Sequence, residues 1–175
     1  MLSRFFPSRP AKAAGEALYS AAAARARLPA LYLDHGVADT REGRFELYCL
    51  HVILLLDRLK GQGEQAAETS QILIDRFVRG LDDAFRELGV GDLSVAKRVK
   101  ALAEAFHGRL RACEAAFAAL PDRAALEAVL ARTVLEGAAD RAGGLADHVL
   151  ATRQALADQP LDSLLSGQAC WEARS

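Results

Sequence analysis

The stretch FVRGLDDAFRELGVGDLSVAKRVKALAEAF, from Phe77 to Phe106, decides the fold. Gly89 and Gly91 divide it, and glycine can end a helix in a left-handed conformation. Asp92 and Ser94 follow, and their side-chain oxygens can cap the next helix. Apolar residues recur at helical spacing on both sides of the break, at Phe77, Leu81, Ala84, Phe85 and Leu88, then at Val95, Val99, Leu102 and Phe106. The stretch therefore predicts two helices that meet at a corner near residues 89–92.

The composition of the whole chain extends this prediction to an all-α fold. Its 175 residues suit one domain with a substantial core. Apolar residues make up 51% and aromatic residues only 6%, and alanine is used heavily. These features favour packed helices over sheets. We expect a single-domain helical bundle over residues 17–159, with a flexible or membrane-surface segment at 1–16 and a tail at 160–175.

Charge and cysteine content argue against several classes of function and of site. The net charge is −1, from 22 basic and 23 acidic residues, which argues against general nucleic-acid binding. Cys49, Cys113 and Cys170 are odd in number, far apart and outside any CxxC spacing. A disulfide framework or a metal site is therefore not expected, and a reducing compartment fits best.

The N-terminal stretch up to Arg27 has five cations and a single acid, Glu16, which is typical of a transit peptide. It also fits a first helix that ends before Pro29, and we favour this second interpretation. The apolar residues Leu2, Phe5 and Phe6 beside Arg4 predict weak contact with a membrane surface.

A second helix is predicted from about Thr40 to Lys60. Asp39 and Glu42 have the spacing of a capping box at its start. Its segment LYCLHVILLL is apolar around most of the circumference, so we expect it to be the central buried helix. The segment is too short to span a bilayer, which needs about 20 apolar residues. Loops are expected on either side, at Pro29 to Ala38 and at Gly61 to Glu68.

The C-terminal third predicts further helices. Asp122 can cap a helix that Gly137 bends or ends, and Gly143 with Gly144 should form another weak point. A last helix should end before Pro160, and the tail after it can fold back through apolar side chains. Those side chains are Leu161, Leu164, Leu165 and Trp171.

Several segments together resemble the ubiquinol-cytochrome c chaperone family, over roughly the first two-thirds of the chain. The corner GVGD, the V-x-K-x-V-K pattern after it and the upstream D-T-x-x-G-R-F-E occur in order at plausible separations. After about Phe117 the resemblance fades. The similar stretches are ALY at Ala17–Tyr19, RLPALY at Arg27–Tyr32, GVADTREGRFEL at Gly36–Leu47, LHVILLLDRLK at Leu50–Lys60 and RELGVGDLSVAKRVKALAEAFHGR at Arg86–Arg109.

The resemblance implies a mostly helical assembly factor for respiratory complex III, the ubiquinol-cytochrome c reductase. Its mitochondrial members associate with newly made cytochrome b, so cytochrome b or another complex III subunit is the expected partner. The resemblance implies no catalytic residue and no cofactor. We expect a bacterial cytoplasmic protein, peripheral at the inner membrane, or a mitochondrial matrix protein if the source is eukaryotic.

The residue chemistry favours no enzyme class. The chain has no HExxH, GxSxG, P-loop or Rossmann motif, and its four histidines are isolated. Cys49 and His51 are two residues apart, which places them on different faces of a helix, so we favour core packing over metal or haem ligation. The alternative function is a helical haem- or lipid-binding protein with a pocket between helices.

Two sets of cations are candidate sites. Arg44, His51 and Arg58 are seven residues apart and so share one line of the predicted central helix. Either acids such as Asp82, Asp83 or Glu87 pair with the arginines while His51 bonds a backbone carbonyl, or the three line a client-binding groove with positive ends. A secondary basic ridge is expected on the second corner helix, at Lys97, Lys100 and Arg111.

Overall fold

The computed structural model describes residues 8–89 and 91–172, and every regular element in them is helical, which confirms the all-α single-domain prediction. Leu2, Arg4, Phe5 and Phe6, to which we assigned a membrane contact, lie outside these residues. In chain order the helices are α1 (Arg9–Arg25), α2 (Pro29–Leu33), α3 (Arg41–Leu59), α4 (Glu64–Glu87), α5 (Asp92–Ala118), α6 (Ala124–Thr133), α7 (Ala142–Asp158) and α8 (Leu161–Leu165), with a 3₁₀ turn at Ala139–Arg141.

Helix α3 is the centre of the fold, as its apolar circumference predicts. Twelve of its 19 residues are buried, and α1, α4, α5 and α7 all pack against it. The predicted capping box is displaced by one position. Thr40, not Asp39, precedes the helix, and the Gly43 amide donates to the Thr40 hydroxyl at 3.0 Å. Asp39 is free to pair with Arg44 instead.

Helices α1 and α4 approach closely because glycines face the contact. A Cβ on Gly15 would lie 2.5 Å from Ile72 Cγ2, and a Cβ on Gly80 would lie 2.1 Å from the Tyr19 hydroxyl. Helix α1 starts at Arg9, and Ala11 and Ala14 are buried. The boundary that we placed at residue 16 therefore does not coincide with the start of packed structure.

The corner between α4 and α5 lies where the glycines predict it. Gly89 has φ +72°, in the left-handed region, whereas Gly91 has φ −66° in extended backbone and directly precedes α5. The expected Asp92 cap is wrong, because α5 has no side-chain cap and Asp92 is already its first residue. The Asp92 carboxylate accepts from Arg86 across the corner instead.

Three segments that we predicted to be loops or weak points between helices contain helix. Pro29 occupies the first turn of α2, where its missing N–H costs nothing. Helix α4 starts at Glu64, inside the expected loop at 61–68. Gly143 and Gly144 lie in the first turn of α7, whose neighbouring Ala142 and Leu145 are buried. Packing here outweighs the weak helix propensity of glycine.

The last helix before Pro160 and the returning tail are as predicted. Helix α7 ends at Asp158, and Leu164 of α8 is fully buried. Gly167, at φ +88°, passes so close to α1 that a Cβ would lie 2.5 Å from Ala17 Cβ. Arg25 then pairs with Glu172 at 2.8 Å. No helix in the described part of the chain has the length and apolar character that a bilayer crossing requires.

Candidate functional site

The structure places Arg44, His51 and Arg58 in three different environments, although they follow one line of α3. Arg44 is exposed at the start of the helix, and its Nε donates to Asp39 Oδ1 at 2.7 Å. Its partner is thus a neighbour in sequence rather than any of the acids that we considered on α4. The Arg44 side chain opens onto a surface groove.

His51 is a core residue, 1% exposed. Its Nδ1 lies 2.7 Å from the Leu47 carbonyl oxygen, and a carbonyl only accepts, so Nδ1 carries the proton. The ring meets Trp171 of the tail edge to face, with centroids 5.4 Å apart. Burial lowers the pKa of His51 to about 4, so the imidazole is neutral at pH 7.

Arg58 joins the other end of α3 to α7. Its Nε donates to the Leu156 carbonyl at 2.8 Å, and its Nη2 donates to the Gln159 carbonyl at 3.1 Å. These carbonyls lie at the C-terminal end of α7, where helix carbonyls lack internal partners and cations are favoured. The structure therefore brings only Arg44 of the three to an open surface.

That surface is a groove between the end of α1, α2, the start of α3, and α4. It consists of two hollows of about 430 and 240 Å³ that share Arg27 and Arg44. We call it the arginine groove. Residues lining the first hollow are Arg27, Pro29, Tyr32, Leu33, Asp39 and Arg44, and those lining the second are Ala23, Ala26, Arg27, Arg41, Arg44, Phe45, Tyr48 and Leu81.

An aromatic cluster supports the floor of the arginine groove. Tyr48 contacts Phe77 and Tyr19 edge to face, with centroids 5.0 and 5.8 Å apart. Phe45 lies 6.2 Å from Phe77, which in turn packs against Phe106 at 4.7 Å. Burial and the neighbouring Tyr19 hydroxyl raise the pKa of Tyr48, so the floor carries no charge. These rings also belong to or pack against the core between α3, α4 and α5, so the floor is continuous with the interior of the bundle.

The rim of the groove combines cations with exposed leucine. Leu33 is 80% exposed and lies beside the cations of the rim. Arg27 donates from Nη1 to the Ala23 carbonyl, and neither Arg27 nor Arg41 forms an ion pair with a described residue. Sequence reasoning missed Arg27, Tyr32 and Leu33 as a site because it placed Arg27 at the end of the first helix and Tyr32 and Leu33 in a connecting loop. The signal was the dense apolar run after Arg27 in a segment that we expected to be a loop.

The residues that we predicted to form a secondary basic ridge lie on α5 and do not line the arginine groove. Lys97, Lys100 and Arg111 are exposed, and their spacing places them on one side of the helix. Lys100 Nζ lies 3.9 Å from Glu104.

The described residues give little support for metal binding or for a reactive cysteine. They contain no group of three or more His, Cys, Asp or Glu side chains that could hold a metal ion. Cys49 and Cys113 are buried and line a hollow of about 10 Å³ between α3, α5 and α6, which has room for about one water. Burial raises the pKa of both thiols, to about 11 for Cys113, which disfavours a reactive thiolate.

Comparison with known proteins identifies similar chains. The profile of the ubiquinol-cytochrome C chaperone family matches residues 33–171, well past Phe117, after which the resemblance seen in the sequence fades. The crystal structure of the Cbp3 homolog from Brucella abortus superposes with a TM-score of 0.81 at 34% sequence identity. The match covers 93% of this chain and 91% of that chain. No curated protein matches the chain.

Proposed function

The chain belongs to the ubiquinol-cytochrome C chaperone family, and from that premise we propose that it holds newly made cytochrome b, or another subunit, during assembly of ubiquinol-cytochrome c reductase. The role is non-enzymatic. Holding a client requires a surface that covers apolar segments reversibly, and no bond in the client has to be made or broken.

The arginine groove is the observation that supports this proposal best. Its floor is apolar and aromatic, and Leu33 extends beside it into solvent. A membrane protein that has not yet assembled exposes apolar helices, and covering them removes apolar surface from water, at about 25 cal/mol per Å². A groove of this kind lowers the free energy of the exposed client and so opposes its aggregation.

Among the residues predicted from the sequence, Arg44 is the one that we propose contacts the client. His51 and Arg58 then act as positioning residues, because they hold α3 against the tail and against α7. The ridge at Lys97, Lys100 and Arg111 is a secondary contact in this proposal. The protein works in the bacterial cytoplasm at the inner membrane surface, or in the matrix of a mitochondrion, with at most weak contact to lipid.

Deletion of the gene tests the proposed function. We expect less assembled complex III on native gels and a smaller cytochrome b absorbance, with the cytochrome b transcript unchanged. Re-expression of the wild-type chain should restore both signals. Normal complex III in the deletion strain would overturn the proposal.

A further inference from the structure

We infer that the arginine groove binds an apolar helical segment of the client that carries carboxylates at one end. This inference rests on the proposed function and names the part of the client that is recognised. Three observations lead to it. The floor of the groove is apolar, and of its three arginines only Arg44 forms an ion pair with a described residue. The described residues also contain no β-strand.

The fold favours a helix over an extended segment as the occupant. An extended peptide gains main-chain hydrogen bonds with a protein by adding to the edge of a sheet, and the described residues contain no β-strand. A helix bonds its own backbone and presents only side chains. Phe45, Tyr48 and Leu81 form the apolar surface against which those side chains would pack.

The arginines favour carboxylates on that helix. Arg41 and Arg27 are exposed without an ion-pair partner among the described residues, and a guanidinium matches a carboxylate with two parallel hydrogen bonds. Arg44 already binds one carboxylate, that of Asp39, at 2.7 Å. The geometry of this rim thus suits a second carboxylate supplied from outside.

The charges around the groove favour a peptide over a lipid surface. Among the residues that line the two hollows, Arg27, Arg41 and Arg44 are cationic and Asp39 is anionic, which leaves an excess of two positive charges. Attraction to anionic headgroups depends on an excess of cations, at about 1 kcal/mol for each one. An excess of two falls short of the clusters of about four to eight cations that are typical of binding to anionic lipid, whereas individual arginines can still pair with individual carboxylates.

Two substitutions test the groove without endangering the fold. Arg41 is the first residue of α3, where an acid is favoured by the helix dipole, so R41E should leave the protein folded. L33N changes a side chain that is 80% exposed. The matched control is R9E with L88N, which makes the same changes at an exposed arginine that is the first residue of α1 and at a leucine that is 57% exposed beside the corner.

The probes are fluorescein-labelled helical peptides of about 18 residues, or five turns, with leucines along one face. One peptide has two glutamates in its first turn, and its partner has two lysines there. Measured by anisotropy, the wild-type protein should bind the glutamate peptide about tenfold more tightly than the lysine peptide. The R41E variant should lose or reverse that preference, L33N should weaken binding of both peptides, and the control variant should behave as the wild type does.

Several results would overturn the inference. The first is equal affinity of the wild-type protein for the two peptides, and the second is an equal loss of peptide affinity in the groove and control variants. The third is that the wild-type protein binds neither peptide but sediments with phosphatidylglycerol vesicles, and that R41E abolishes this sedimentation. Expression of the R41E/L33N variant in the deletion strain separates this inference from the proposed function. Full recovery of complex III would refute the groove assignment and leave the assembly role intact, whereas unchanged complex III on deletion would refute the assembly role itself.

Discussion

At the corner between α4 and α5, two glycines close in sequence have different backbone requirements. Gly89 has φ +72°, and Gly91 has φ −66°. A Cβ on either would meet nothing within 4 Å, so only the backbone distinguishes them. We expect G89V to lower the free energy of unfolding by at least about 1 kcal/mol, because valine fits the left-handed region poorly. G91V should cost less, because valine adopts φ −66° readily and loses only the preference for glycine over valine at the N-cap of α5.

Chemical denaturation of both variants measures this difference. G91V serves as the control, because it places the same side chain in the same solvent-exposed corner at a φ that valine adopts readily. Equal losses of stability in the two variants would show that the corner depends on something other than the conformation of Gly89.

For single residues, the sequence predicts the position on a helix but not the environment of the side chain. Periodicity correctly predicts that Arg44, His51 and Arg58 share one line of a helix, because that depends on α3 alone. Their environments depend on other elements: His51 meets Trp171, and Arg58 meets the end of α7. Distances in sequence of about 100 residues separate these partners, and no local pattern encodes them.

At the scale of elements, alanine should have opposite effects on stability at two helical glycines, one inside the α1–α4 contact and one outside it. A Cβ on Gly15 would lie 2.5 Å from Ile72 Cγ2 and 3.1 Å from the Thr69 carbonyl oxygen, so G15A forces the helices apart and should cost about 2 kcal/mol. Gly108 lies in α5 with nothing near its Cβ position. G108A should therefore raise stability by about 0.7 kcal/mol, since alanine is the better helix former.

The same glycine-to-alanine change should lower stability in G15A and raise it in G108A. Each variant is therefore the control for the other when thermal melts are compared. A stabilised G15A would mean that α1 and α4 can separate without loss of packing. A destabilised G108A would mean that α5 has a contact on that side.

Element existence was more predictable than element boundaries. The apolar circumference of α3 and the glycine corner are strong local signals, and both predictions are confirmed. The start of α4 and the helix α2 were missed because glycine and proline were interpreted as breaks, whereas Gly63 and Pro29 lie at helix starts. The arginine groove was missed as a consequence, since α2 forms one of its walls.

For the whole molecule, buried histidine makes stability depend on pH. Burial lowers the pKa of His51 from 6.5 to about 4, and His148 is shifted in the same direction by burial and by His35. The unfolded chain then binds more protons than the folded one between these pH values, so this stability is complete above about pH 6.5 and is lost as pH falls toward 4. For His51 the loss should approach about 3 kcal/mol.

Urea denaturation across this pH range, compared between wild type and H51L, isolates the contribution of His51. The variant should lose stability less steeply on acidification than the wild type. H107L is the control, because that imidazole is exposed on α5. Parallel curves for wild type and H51L would contradict a buried neutral His51.

The contact between His51 and Trp171 also gives the molecule an optical label of its own. Trp171 is the chain's one tryptophan, and it sits where the returning tail meets the central helix. Its emission therefore reports on a single place. Detachment of the tail would move the indole into water and shift its emission to longer wavelength, so stopped-flow fluorescence could time that event without any added dye.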